Sequence, residues 1–327
     1  MRLPAVLIVL ALVARFDATD SQKYPSPTIL DASVYSVQVP PFPFIGGPQC
    51  DADGYMYFHL DNGNYMSTDI LRLSPDGKDG TRFAVPSDMA SKIRFDSFSV
   101  SPQGELVVSA FSDKGAPLLV SFDDDGGMNN PVTLELPKGV FSNSLMAFNG
   151  GAVFFSGYYG EPPQKSIRGR SYLAIFDPSG GLRVELRSIS LPKYDGLSGL
   201  PNGAGAVSED GNLYFVLPNQ IVVISQQGKV VRRIAFKKPD PRQSAIRVRV
   251  SSGAVAITLA RPQSENSDSL EMSYLVLDTF SGRRFGYYML PEQLRFAEDV
   301  CFSRQEGFTF LGSDKNGQTK LIRAPLY

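Results

Sequence analysis

Apolar and polar positions alternate along this chain in short runs, most plainly in residues 204–236, AGAVSEDGNLYFVLPNQIVVISQQGKVVRRIAF. Four apolar or β-branched runs are separated by Glu209-Asp210-Gly211, Pro218-Asn219 and Gln227-Gly228, residue pairs and triplets that favour tight turns. The pattern predicts four short strands joined by hairpins, with nothing inserted between them.

Variants of this unit recur. Inner strand pairs are predicted at 50–60 (CDADGYMYFHL), 98–111 (FSVSPQGELVVSAF), 145–158 (LMAFNGGAVFFSGY), 246–260 (IRVRVSSGAVAITLA) and 299–313 (DVCFSRQEGFTFLGS), each followed by a third strand. A short apolar strand ending at or near proline closes each unit: VQVP at Pro40, RFAVP at Pro86, LELP at Pro137, ISLP at Pro192, IAFKKP at Pro239 and YYMLP at Pro291. These six copies are spaced by roughly 45 to 55 residues, the period of a four-stranded propeller blade with loop insertions. Proline is tolerated at the end of an edge strand, so they are expected to be the outermost strands.

The last unit stops before its outer strand, and the first copy, around Tyr35 to Val39, has no inner strands of its own. If the N-terminal copy completes the last blade, the two chain ends pair and no edge is left open. The predicted fold is therefore all-β: a six-bladed β-propeller of four-stranded antiparallel blades over residues 33–327, its ring closed by the N-terminal strand.

Composition narrows the functional classes. The formal net charge is −1 over 327 residues, which gives no bulk attraction to nucleic acid. The sequence holds no Trp, one His and two Cys. Arg2 precedes the apolar run LPAVLIVLALVA, too short to span a bilayer comfortably and of the length of a signal-peptide core. Residues 1–18 are read as a signal peptide and 19–32 as a flexible leader, placing the mature chain in the periplasm or outside the cell as a monomer with no membrane span. In that setting Cys50, in the first blade, and Cys301, in the last, are either a disulfide across the closing seam or two small buried thiols.

The turn-centred segments CDADGYMYF, VSPQGELVV and VSEDGNLYF, with PNGAGAVSEDGNLYFV at 201–216, resemble the repeats of six-bladed propellers of the NHL and gluconolactonase (regucalcin-like) group. That resemblance implies a divalent-metal site built from a glutamate before the first inner strand, an asparagine in the Pro-Asn-Gly segment and an aspartate at a later blade. Asn202 matches the asparagine. Gly47 stands at the glutamate position and no aspartate falls near Ser244 and Ala245, so no metal and no cofactor is expected.

Candidate ligand contacts lie on loops leading into the inner strands: Asp96, Asn143, Asn202, Arg247 and Asp299, with His59 in the loop after the second strand of the first blade. The basic runs IRVRV (246–250) and RGR (168–170) read as solvated, and DDDGG (123–127) as a turn. No GxSxG, HExxH or P-loop pattern is present. The sequence thus favours a non-catalytic binding or interaction propeller for an unidentified small molecule or protein. The alternative is a lactonase- or hydrolase-like enzyme with a rearranged site on the same loop face.

Overall fold

The structure is a computed structural model that describes residues 25–38, 44–60, 69–161, 167–189, 191, 204–262, 270–294, 297–313 and 319–326. The predicted signal peptide lies outside them. Among the described residues no helix is long and apolar enough to cross a membrane.

Among the described residues six sheets form the molecule, each built on four antiparallel strands. Blade one is Phe44–Cys50, Met56–Leu60, Asp69–Leu73 and Gly80–Ala84, written from inner to outer strand. Blade two is Ile93–Val100, Leu106–Ser112, Pro117–Ser121 and Val132–Thr133, and blade three is Val140–Ala147, Val153–Glu161, Ile167–Phe176 and Leu182–Glu185. Blade four is Gly205–Val207, Asn212–Leu217, Gln220–Ser225 and Val230–Ala235, the unit seen most plainly in the sequence. Its first turn needs a left-handed residue, which Gly211 supplies at φ 75. Blade five is Ser244–Ser251, Ala254–Pro262, Leu270–Asp278 and Arg284–Met289, and blade six is Glu298–Ser303, Gly307–Ser313 and Thr319–Ala324.

The fourth strand of blade six is the N-terminal segment Ser33–Gln38, antiparallel to Thr319–Ala324 with Ser33 opposite Arg323 and Tyr35 opposite Leu321. Each inner strand touches the inner strands of its two neighbours, and the sixth touches the first, so the ring is closed. Side-chain alternation builds the core between blades rather than within them. In blade one, Tyr57 packs toward blade two while Met56 and Phe58 pack toward blade six. Six apolar clusters result, one per junction.

The junction of blades six and one is the seam of the ring, and it is closed by a covalent bond. Cys50 and Cys301 form a disulfide with Cα atoms 5.3 Å apart, joining positions 251 residues distant in sequence. Arginines of blade five reach across to both blades six and one at this place.

Three local features differ from the sequence expectation. ISLP at 189–192 is not the outer strand of blade three; Leu182–Glu185 takes that place directly after the Asp177 to Gly181 turn. Ile189 and Leu191 are apolar because they fill the core between blades three and four. In blade two the outer strand is Val132–Thr133, upstream of most of LELP; the Leu134 amide still donates to the Pro117 carbonyl at 3.0 Å, and its side chain is buried against blade three. Within the expected leader 19–32, Thr28–Ile29 runs parallel to the outer strand of blade five, the Leu30 amide donates to the Met289 carbonyl at 2.9 Å, and the Leu30 side chain is buried.

On the loop side, Asp240 ties the connection from blade four to the framework of blade five. Its carboxylate accepts from Arg242 Nη2 at 2.6 Å and Arg261 Nη1 at 2.9 Å, and Arg261 also holds Glu271 bidentately. The Arg242 hydrogen bonds are the largest influence on the Asp240 carboxyl and, with Arg261, outweigh burial, lowering its pKa to about 2. A carboxyl held below its unfolded value near 3.9 contributes stability that is complete above about pH 4 and is lost as pH falls toward 2. Replacing Asp240 by Asn should therefore lower stability by about 2 kcal/mol at pH 7. The gap should close by pH 2, as read from urea midpoints of both proteins at pH 7, 4 and 2.

Candidate functional site

The inner strands share an irregularity that decides what faces the central channel. The ladder between first and second strands skips a residue at Asp96 in blade two, Asn143 in blade three, Ile246 in blade five and Val300 in blade six, and skips three in blade one between Ile45 and Gln49. A bulge inserts an unpaired residue and re-aims its side chain. Asp96 and Asn143 thus occupy equivalent bulge positions on adjacent blades. They line one cavity of about 530 Å³ that runs along the channel and takes wall residues from all six blades.

The wall is uneven in character. Blades one to three contribute His59, Asp96, Ser97, Asn143 and Ser144, whereas blade four contributes the small and apolar Ala204 to Val207 and, at its first turn, Glu209. Leu145, Met146, Ile246, Val250, Leu270 and Met272 add apolar wall. Asn143 Nδ2 donates to Ser156 Oγ at 3.3 Å, and Ser144 and Ser156 share a hydrogen bond of 2.6 Å. The Ser97 hydroxyl is buried without a hydrogen-bond partner. Asp96 keeps exposed surface, but desolvation by the channel wall raises its carboxyl pKa, against a Ser142 hydrogen bond and the opposing charges of Arg94 and His59. An acid so placed gains from any ligand group that donates to it.

His59 lies within the second strand of blade one, not in the loop after it, with 8% of its surface exposed. Its ring packs against Phe95 and Phe98 of blade two, centroids 6.2 and 6.4 Å away. Strand alternation puts His59 on the face of Tyr57, toward blade two, which is how it comes to sit beside Asp96.

Side chains also lock neighbouring inner strands together beneath the cavity. Gln49 Nε2 donates to the Phe98 carbonyl at 2.6 Å while its Oε1 accepts from the Val100 amide at 3.0 Å, bridging blades one and two. Ser99 Oγ accepts from the Ala147 amide at 2.9 Å and bridges blades two and three.

Blade five supplies the clamp at the seam. Arg247 and Arg249, two apart on one strand, share a face, and that face turns toward blade six. Arg247 Nη1 donates to Asp299 Oδ1 at 2.8 Å and Nη2 lies 3.5 Å from Glu298 Oε2. Arg249 Nη2 donates to the Pro48 carbonyl of blade one at 2.6 Å and to the Asp299 carbonyl at 3.0 Å, and its Nε lies 3.4 Å from Asp299 Oδ2. Burial lowers the Arg249 pKa to about 10, leaving it charged at neutral pH. For Arg247, burial is opposed by Asp299 and Glu298, which carry the net shift upward. Burial likewise raises the Glu298 carboxyl.

The clamp explains Gly47. A Cβ on residue 47 would stand 2.6 Å from Arg247 Nη2, so the guanidinium lies against the bare backbone and a side chain there would displace it. Among the described residues no group of three or more His, Cys, Asp or Glu is placed to hold a metal ion.

Of the residues singled out in the sequence, Asp96, Asn143, His59 and Arg247 therefore meet at one cavity. Asp299 does not: it is 2% exposed and engaged by the two arginines. Asn202 lies outside the described residues, as do the loop segments 61–68, 162–166 and 263–269. Sequence reasoning missed Gln49, Ser97, Ser99 and Arg249. Only Arg249 left a signal, the i, i+2 spacing of IRVRV, and the two arginines of that run are half-buried against Asp299 rather than solvated.

No protein-family model matches the chain, and no curated protein matches it in sequence. Solved structures match in shape. A protein from Agrobacterium tumefaciens taken to be TolB has a TM-score of 0.50 at 16% identity over 87% of this chain and 91% of that one. A gluconolactonase from Xanthomonas campestris gives 0.49 at 14% identity, covering 92% and 98%. The β-propeller domain of the Trilobed protease from Pyrococcus furiosus gives 0.47 at 10%, covering 88% and 94%. At these identities the likeness is one of fold. The class defined by fold and cavity is a six-bladed β-propeller with a polarised central channel.

Proposed function

We propose that this chain is an exported binding propeller that takes a small ligand into its central channel from the loop face. The observation that carries this reading is a cavity of about 530 Å³ to which all six blades contribute wall residues. Ligand sites of this size are usually concave, largely apolar and oriented by a few polar groups. Asp96, Asn143 and His59 provide the polar groups, and the small residues of blade four leave room opposite blade one. Export is supported by the apolar segment after Arg2 and by the Cys50–Cys301 disulfide, since such bonds persist in oxidising compartments.

Chemistry dependent on a divalent ion has weak support here. The backbone at Gly47 is covered by the Arg247 guanidinium, a fixed positive charge that repels a second cation. A hydrolase-like reading rests on one feature, the juxtaposition of His59 and Asp96 at the cavity, the residue types used for proton transfer.

A thermal-shift screen of small polar organic molecules, with calcium alone as a separate arm, tests the binding reading. At least one organic compound should raise the melting temperature, and Asp96→Asn should weaken its binding by on the order of tenfold without moving the baseline melting temperature. Saturable stabilisation by calcium alone, or turnover of the bound compound, would overturn it.

A further inference from the structure

The face opposite the candidate ligand site carries a feature that the channel does not use. Phe280, at the tip of the turn between the third and fourth strands of blade five, is 83% exposed, far more than any other large apolar side chain described. It is held outward rather than left to fold back. The Asp278 carboxylate accepts from the Phe280 amide at 3.1 Å, the Ser281 amide at 2.6 Å and the Ser281 hydroxyl at 2.7 Å, and the turn closes on Gly282. The acid nearest the tip is thus engaged by its own turn.

Arginines surround this tip. Arg232 of blade four stands over the Phe280 ring, Cζ 5.7 Å from its centroid. Arg283 and Arg304 stand over the neighbouring Phe285, at 5.8 and 4.7 Å. Arg304 belongs to the first turn of blade six and reaches blade five through its amide bond to Ser251 Oγ, so the patch is continuous across blades four, five and six. Among the described residues none of these three guanidiniums lies within 4 Å of a carboxylate, although Arg232 Nη2 donates to the Tyr214 hydroxyl at 3.4 Å, whereas Arg82, Arg183 and Arg187 are each paired with one. The other acids on these turns are Glu306 of blade six and Glu209 and Asp210 of blade four; Asp210 accepts from the Tyr214 hydroxyl at 3.2 Å, and among the described residues none of the three forms an ion pair with these arginines.

A rigid exposed aromatic at a turn tip, ringed by unpaired arginines, combines the two elements of an interfacial anchor: an apolar group to bury and cations for phosphate headgroups. We propose that this face docks on an anionic phospholipid bilayer, with Phe280 entering the headgroup region and Arg232, Arg283 and Arg304 contacting phosphates. The channel mouth on the loop side would then face away from the membrane. An acidic polypeptide would satisfy the arginines but gives no reason for a lone, fully presented phenylalanine.

The chain has no tryptophan, so Phe280→Trp installs a single reporter at the tip. With the full mature chain, its emission should move to the blue on adding vesicles of phosphatidylcholine with about 30% phosphatidylglycerol, and not with phosphatidylcholine alone. Co-sedimentation of the unsubstituted protein should follow the same preference and weaken as salt rises. Arg283→Gln with Arg304→Gln, and separately Phe280→Ser, should each reduce partitioning by on the order of tenfold. All three side chains are surface groups, and near-ultraviolet circular dichroism confirms that the variants stay folded. Unshifted emission together with no sedimentation on anionic vesicles overturns the proposal. So does tight binding of polyglutamate by a protein that ignores the vesicles.

Discussion

Deleting residues 33–38 is expected to abolish the cooperative unfolding of the entire propeller, although the segment is only one strand of one blade. The reason is topological. That strand is the outer member of blade six and pairs the chain's beginning with its end. Its loss exposes the edge of Thr319–Ala324 and withdraws support from the seam beside it. Each backbone hydrogen bond lost is worth about 1 kcal/mol net, and a domain's total stability is only about 5–15 kcal/mol, so strand and seam together are a large fraction of the whole. A truncated chain should show a broad, low-amplitude urea transition and rapid cleavage in every blade. A linear stack of repeats would instead lose blade six alone and keep a sharp transition for the rest.

Replacing Asp299 by Ala should lower stability by about 3–5 kcal/mol, the largest loss expected from any single side chain at the seam. Asp299 is almost fully buried and is the shared carboxylate of Arg247 and Arg249. Its removal leaves Glu298, itself pushed toward its neutral form by burial, as the nearest acid for two guanidiniums. Urea midpoints measure the loss. The companion variant distinguishes an uncompensated charge from a lost shape: Arg249→Met combined with Asp299→Leu should recover most of the stability, because apolar replacements of similar volume remove both buried charges. If Asp299→Ala falls within 1 kcal/mol of the parent, the clamp does not hold the seam.

The fold was legible because a propeller announces itself through local signals repeated in phase. The turn of Glu209, Asp210 and Gly211 and the alternation of Leu213, Phe215 and Leu217 with Tyr214 and Val216 are short-range patterns, and the packing of the blades obeys them. Closure was legible too, since the unit at 299–327 lacked one strand and the segment around Tyr35 had one to spare. Outer strands were read less well. Ile189 and Leu191 look like a strand before a proline, but an apolar run of three cannot reveal whether it pairs or only packs.

The site was half legible. Asp96 and Asn143 could be placed on the right face from the turn positions alone, but nothing in their neighbours announces that each is a bulge. Bulges depend on the register of the partner strand, Leu106–Ser112 or Val153–Glu161, and register is a tertiary property. Arg247 and Arg249 misled for a related reason: charges two apart on a strand are ordinary on a solvated face, and only the arrival of Asp299 from blade six buries them. His59 was assigned to a loop because its polar successors Asp61, Asn62 and Gly63 look like one, whereas the strand extends through Leu60.

The central claim is that blades one and six are neighbours in a closed ring. Protein secreted into an oxidising compartment, alkylated without reduction, digested and mapped by mass spectrometry tests it directly. The account predicts a single cross-linked species joining the Cys50 and Cys301 peptides, which separates into two alkylatable peptides on reduction. Recovery of both cysteines as alkylated thiols before any reductant is added would contradict it.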